Sequence, residues 1–494
     1  MQKSYQHLCS LSKKSTLLDG ITGLLSWDQE TYMPKQASAI RAEQIALLAE
    51  QSHALHTGKE FEKTLQTLID IPTGKIHDTT TDQNRRAILT LSRKDFIREK
   101  KLTPSFVQEF ARVTSEALFL WQQAKSKNDF KSFQKTLEHI VSLVRKKADL
   151  IGYNKHPYDA LLDEFEPDAT VADIDKLFLP VKKASQEIAK AKRKRVESIP
   201  IPATDHQQMQ ICRWILNLIG FDFSKGRIDV SAHPFSSSYH PTDTRLTTRM
   251  ESHGIAIQIL TTLHEAGHSF YDMGLPVEYF GTPLCRAVSY GIHESQSRFW
   301  ETRIGRSLPF IKLILPTLQK KFPKALQGVT PKAYYEALNQ VAPSYIRVDA
   351  DEVTYPLHVI LRYEIEKELL TGTLKVRELP ERWRAGMKEL LAIEPPNDAL
   401  GCLQDIHWSM GAFGYFPSYL LGNIYAALLF EAFEQAHPDW SQRIQKADFG
   451  FIHTWLREKI WQHGRRYSPK ELITKATKKT PRADAFIDYL KGKY

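Results

Sequence analysis

The pentapeptide His264-Glu265-Ala266-Gly267-His268 constrains this chain more than any other stretch of it. Four residues of α-helix turn through about 400° and rise about 6 Å, so histidines at this spacing stand one above the other on one face. Both can bind one metal ion. Glu265 lies beside them, where its carboxylate reaches a metal-bound water without being a ligand. The flanks favour a helix: Ile255, Ile259, Leu260, Leu263, Ala266, Phe270 and Tyr271 recur at helical spacing, and Gly274 offers a stop. Neutral imidazoles suit zinc, which brings the pKa of bound water to about 7. Two surface histidines around a solvated glutamate are the alternative, but unpaired His and Glu on so apolar a helix would be costly.

A third ligand decides between these readings. Glu294 is the candidate, in the helical segment Tyr290-Gly-Ile-His-Glu-Ser-Gln-Ser-Arg-Phe-Trp300. Two helices of an αα-hairpin can bring their inner faces around one ion, giving His264, His268, Glu294 and water. Glu301 is the other carboxylate on that stretch and ranks second, since seven residues return it to the same face. A metzincin arrangement is excluded, because the chain has Gly274 and Tyr271 where that pattern needs histidine and glycine.

Taken together, His264-Glu-Ala-Gly-His268 and His293-Glu-Ser-Gln296 resemble the Taq carboxypeptidase family of metal-dependent carboxypeptidases. Other segments match in order: Leu25-Ser-Trp-Asp-Gln-Glu-Thr-Tyr-Met-Pro34, and His156-Pro-Tyr-Asp-Ala-Leu-Leu-Asp-Glu-Phe-Glu-Pro167. His233-Pro-Phe235 precedes Asp243-Thr-Arg-Leu-Thr247, which is similar to the family's DxRxT element. Ile346-Arg-Val-Asp-Ala-Asp351 resembles IRxxAD, and Gly401-Cys-Leu-Gln-Asp-Ile-His-Trp408 resembles GxxQDxHW. Gly414-Tyr-Phe-Pro-Ser-Tyr-Leu-Leu-Gly-Asn423 and Gly464-Arg-Arg-Tyr-Ser-Pro469 complete the series. The likeness spans essentially the whole chain. The stretch between Phe235 and Asp243 departs from it, being less glycine-rich.

The resemblance implies removal of single amino acids from peptide C-termini with broad tolerance at the last residue, one divalent metal ion per chain, and a homodimer. It also implies a mostly α-helical, two-lobed, oligopeptidase-like architecture around a deep cleft. Zinc suits the ligand set, which also accepts cobalt or manganese. In that reading Glu265 is the general base and acid. A carboxypeptidase needs a cation for the terminal carboxylate, and arginine's planar fork matches it best. Arg347 is the first choice and Arg245 the second, each with nearby aspartates (Asp349, Asp351 or Asp243) as competing salt-bridge partners. A phenol can stabilise the oxyanion, Tyr419 ahead of Tyr415. His407, Asp405 and His233 are candidates for substrate contact or for orienting other groups.

Thirteen amphipathic helices are readable, at about 5–25, 38–55, 82–100, 105–126, 128–149, 171–197, 206–219, 252–273, 285–305, 331–341, 350–371, 418–435 and 448–462. Short strands are expected at 227–231 and 244–249, a small sheet at the cleft edge along which an extended peptide can pair. The chain is read as a single unit, 1–494, with a possible internal boundary at the Pro-containing stretch 198–204.

Four scattered cysteines, at 9, 212, 285 and 402, make no disulfide framework, so a reducing, cytoplasmic location is expected. Neither a signal peptide nor a membrane-spanning run is evident. The net charge is +10, and the densest basic run, Lys190-Ala-Lys-Arg-Lys-Arg195, is read as a solvated helix face rather than a nucleic-acid surface. Peptides are the expected partners. A related helical metallo-oligopeptidase or dipeptidyl carboxypeptidase is the alternative, and a non-catalytic basic binding protein is the third reading. An aminopeptidase is disfavoured for want of a GxMEN-like acidic motif.

Overall fold

A computed structural model describes residues 1–191, 198–250 and 254–494, apart from the side chains of Lys35 and Ser38. The mainly helical expectation, with one small sheet, holds. Most long helices start and stop within a few residues of their predicted limits, among them Pro104–Lys127, Phe130–Ile151, Asp205–Leu218 and Phe416–Ala436. Residues 192–197, which include all but the first two residues of the basic run 190–195 and end the predicted helix 171–197, and residues 251–253, at the start of the predicted helix 252–273, lie outside the described residues. Several helices escape the periodicity reading. Pro157–Phe165 is short, Leu308–Lys321 carries an internal proline at Pro316, and Leu379–Leu391, Pro469–Thr477 and Asp484–Lys493 are further helices that the periodicity leaves out.

The sheet has three strands: β1 (Gly226–Val230), β2 (Ser236–His240) and β3 (Asp243–Thr248), in the order β1-β3-β2. β1 runs parallel to β3 and β2 antiparallel to it. β2 is the unpredicted strand. Its Ser-Ser-Ser-Tyr-His sequence has no apolar alternation, and it is a strand because β3 supplies its hydrogen bonds. It links two parts of the molecule. Ser236 Oγ lies 2.9 Å from Ser269 Oγ on the histidine-bearing helix, while Tyr239 Oη donates to the Gly23 carbonyl on the first helix at 3.0 Å.

The principal core is one continuous apolar cluster that runs from Phe106 to Leu490 and includes Ile201. A smaller cluster of Leu8, Leu11, Phe61, Leu65, Leu68, Ile69, Leu89 and Phe96 consolidates the N-terminal helices. The histidine helix, Ile255–Met273, is buried on most of its faces, and Ile255, Ile259, Leu263, Ala266 and Phe270 join the large core. Among the described residues, no helix is long and apolar enough to cross a membrane. All four cysteines are free.

Candidate metal centre

Close helix packing builds the centre. A Cβ at Gly267, inside the HEAGH turn, would stand 2.5 Å from the Gln296 carbonyl oxygen and 2.6 Å from Ser297 Cα. Glycine therefore lets the histidine helix meet the carboxylate helix, Tyr290–Arg298, backbone to backbone. Glu294 Oε2 then lies 3.6 Å from His264 Nε2 and 3.4 Å from His268 Nε2. One ligand atom from each of the three lies within 4.8 Å of the others, a spacing that can hold a metal ion.

The surrounding groups fix these candidate ligands in place. His264 Nδ1 is 2.9 Å from Glu301 Oε2, which leaves Nε2 as the free ring nitrogen. Arg298 donates to Glu294 Oε1 at 2.9 Å and to Glu301 Oε2 at 3.0 Å, and Ser297 Oγ donates to Glu294 Oε2 at 3.0 Å. His293 stacks on His268 with ring centres 4.5 Å apart and pairs with Asp272 at 3.1 Å. Two imidazoles and a carboxylate, with one imidazole anchored from behind by a second carboxylate, fit a divalent ion such as zinc.

Glu301, expected on the same face as Glu294, instead pairs with His264 Nδ1 and stays outside the candidate ligand set. The backbone from Phe299 to Gly305 is a π-helical segment. Its wider turn rotates Glu301 relative to Glu294, a displacement that heptad counting cannot foresee.

Charge in the cluster is set by burial and by neighbours. Burial works against a charged His264, but Glu294, Glu301 and Glu265 outweigh it and raise the ring to about 9. Burial and His293 bring His268 down to about 4. Burial also raises the Glu265 carboxyl to about 7, with His264 opposing it. Glu294 is buried too, yet His264 and Arg298 hold it well below the usual carboxylate range.

A second constellation joins the predicted IRxxAD and GxxQDxHW segments. Arg347 is buried, and its Nε and Nη2 donate to Asp405 Oδ1 at 3.1 and 2.9 Å. Arg362, fully buried, donates to Asp405 Oδ2 at 2.6 Å. Gln404 Oε1 accepts from the Arg347 backbone amide and from Arg362 Nη2. His407 Nε2 lies 3.1 Å from Tyr419 Oη, and the Arg347 guanidinium lies 4.6 Å from the Tyr419 ring centre. Burial holds His407 neutral, down at about 3, and keeps the phenols of Tyr415 and Tyr419 protonated. Tyr415 packs on Tyr419, with centroids 5.1 Å apart.

Tyr355 connects the two constellations. Arg298 lies over its ring at 4.3 Å, and Arg347 Nη1 donates to its hydroxyl at 3.1 Å. The path Glu294–Arg298–Tyr355–Arg347–Asp405 is continuous.

Arg245 and His233 join neither group. Arg245 forks onto Asp243 at 2.9 and 3.2 Å and stacks on Trp27, 4.6 Å from its centroid, so it faces the first helix. The exposed His233 ring has no hydrogen-bond partner among the described residues, and only its carbonyl is engaged, by Ser231 Oγ. The sequence reading missed Arg298, Tyr355 and Arg362, although Arg298 stands four residues after Glu294 at the spacing of a helical ion pair.

A mainly helical body built around this constellation defines a metallopeptidase. Residues 7–494 match the carboxypeptidase Taq (M32) metallopeptidase model, and the chain belongs to that family of metallocarboxypeptidases. It is 36% identical over 478 residues to thermostable carboxypeptidase 1 of Pyrococcus furiosus, covering 95% of this chain and 94% of that one. It is 35% identical to carboxypeptidase 1 of Bacillus subtilis over 98% of this chain and 96% of the relative. The crystal structure of the M32 carboxypeptidase from Deinococcus radiodurans R1 superposes with a TM-score of 0.94 at 34% identity, covering 100% of this chain and 99% of that one.

Proposed function

We propose that this metallocarboxypeptidase removes single amino acids from peptide C-termini with broad tolerance at the last residue. The observation that carries the reading is the convergence of His264, His268 and Glu294, with Glu265 in the same helical turn. These three residues would hold one divalent ion, zinc by preference and cobalt or manganese as alternatives. Bound there, the ion supplies Lewis acidity to the scissile carbonyl and to water.

The chain's own groups do the rest. Glu265, in the same helical turn as both histidines, takes a proton from the attacking water and hands it to the leaving amine. The protonated Tyr419 hydroxyl, with neutral His407 beside it, donates to the developing oxyanion. Arg347 binds the substrate carboxylate, with Asp405 and Tyr355 fixing the direction of its fork. By the same resemblance, the chain works as a cytoplasmic homodimer.

The test is a time course of a free-acid peptide beside its C-terminal amide, followed by mass spectrometry with metal-stripped and zinc- or cobalt-restored enzyme. A ladder of single-residue losses, from the free acid alone and only with metal, is expected. Internal fragments from both peptides would favour an oligopeptidase instead.

A further inference from the structure

The conspicuous segment His156–Pro167 has no part in the chemistry above, yet it ends in a buried carboxylate. Glu166, 1% exposed, caps the helix Pro157–Phe165 and points across to the carboxylate helix. Its Oε1 accepts from Ser289 Oγ at 3.0 Å and from Tyr425 Oη at 3.1 Å. Its Oε2 accepts from the Gly291 backbone amide at 3.0 Å. Ser289 is the N-cap of the helix that carries Glu294, and its Oγ in turn accepts from the Ile292 amide at 3.0 Å.

Two amides of the first turn, orphaned by helix geometry, are thus satisfied by Ser289 and Glu166 together. The negative charge also suits the positive end of the helix. Glycine is required at the contact. A Cβ at Gly291 would stand 2.6 Å from Glu166 Oε2 and push the carboxylate off its amide. Glu294 follows Gly291 by less than one turn, so an error at the cap passes directly to the ligand.

Among the described residues no cation pairs with Glu166; its partners are a hydroxyl, a phenol and an amide. Burial outweighs these three donors and pushes the carboxyl up to about 7. A buried carboxylate without a counter-charge is a poor source of stability. Its geometric effect is specific: it ties the helix carrying Glu294 to the segment that precedes it in space.

We propose that Glu166 is a positioning residue for the metal carboxylate, holding the N-terminus of the Glu294 helix at the height from which Glu294 meets His264 and His268. The assignment rests on Glu294 being a metal ligand.

The experiment compares wild type, Glu166→Gln and Glu294→Ala by chelator competition for zinc, steady-state kinetics on a free-acid peptide, and hydrogen exchange of the amides from Gly291 to Glu294 in zinc-free protein. Glu166→Gln keeps the volume but sets an amide N–H against a donor. The expected result is zinc affinity lower by roughly 10–100-fold, the range for partners that orient metal ligands. kcat should fall with KM unchanged, and exchange at Gly291 to Glu294 should quicken several-fold. Unchanged affinity and exchange in Glu166→Gln, with zinc lost from Glu294→Ala, would overturn the positioning role while leaving the ligand reading intact. Full zinc retention by Glu294→Ala would overturn the ligand reading and this assignment with it. Should Glu166→Gln not fold, Ser289→Ala and Tyr425→Phe each remove one donor and leave the carboxylate. Quickened exchange at Gly291 to Glu294 in either supports the role, and its absence in both removes it.

Discussion

Glu301 Oε2 and His264 Nδ1 stand 2.9 Å apart, so the carboxylate that sequence ranks as a rival ligand instead pairs with the first candidate ligand from behind. Glu301→Ala should therefore keep the fold but lower zinc affinity roughly 10–100-fold, as loss of an orienting carboxylate does elsewhere. Competition against a chelator of known affinity measures this. Wild-type retention of zinc by the variant would leave Glu301 with no part in the centre.

Glu265→Gln should keep its metal and lose kcat by roughly 10²–10⁴-fold, the usual range for a positioned general base. Metal content by mass spectrometry, paired with single-turnover rates, separates the two effects. A metal-replete variant at near-wild-type speed would sink the proton-transfer role.

The two arginines should behave differently. Arg347→Ala strands a buried aspartate on Arg362 alone, a loss of about 3–5 kcal/mol for a broken buried pair. Arg347→Lys retains the charge but not the fork, and should raise KM for free-acid peptides with metal content unchanged. Arg245 pairs with Asp243, whose side chain is 39% exposed, so Arg245→Ala should cost only ~0.2–1 kcal/mol. Denaturant titrations and KM values check both. A larger KM effect at Arg245 than at Arg347 would reverse the assignment of the carboxylate clamp.

Glu366 predicts a pH dependence of stability. Its carboxylate is buried among Tyr158 Oη at 2.7 Å, Trp408 Nε1 at 2.9 Å and the Gly414 amide at 3.1 Å. Burial raises it from its ordinary 4.5 to about 7. The unfolded chain therefore loses this proton first as pH rises. The contribution is complete below about 4.5 and is lost by about 7, a change on the order of 3 kcal/mol. Between pH 5 and pH 8, wild type should lose stability relative to Glu366→Gln by about that amount. Unfolding curves for both proteins at the two pH values provide the test, and equal losses would contradict it.

Much of the centre was legible because its geometry is local. The histidine spacing, the glutamate between them and the apolar flanks are properties of one helix, which the period of 3.6 residues dictates wherever that helix sits. Glu294 was accessible for a similar reason: a second amphipathic segment nearby carried a carboxylate on its inner face. The ordered elements around Arg347 and His407 mark segments that the fold brings together, although nothing local showed that Asp405 would take Arg347 as its partner.

What tertiary structure decided depends on contacts between distant segments or on departures from regular geometry. The π-helical turn at 299–305 moved Glu301 behind His264. β2 exists because β3 lies beside it, and Arg245 turned toward Trp27 because the sheet presents that face to the first helix. Glu166 reached the carboxylate helix from more than a hundred residues upstream, through a gap that only a glycine at 291 leaves open. A sequence specifies helices and their faces through short-range sterics and hydrogen bonds. Which carboxylate joins the candidate centre, which pairs with a histidine and which caps a helix depends on how the faces are packed.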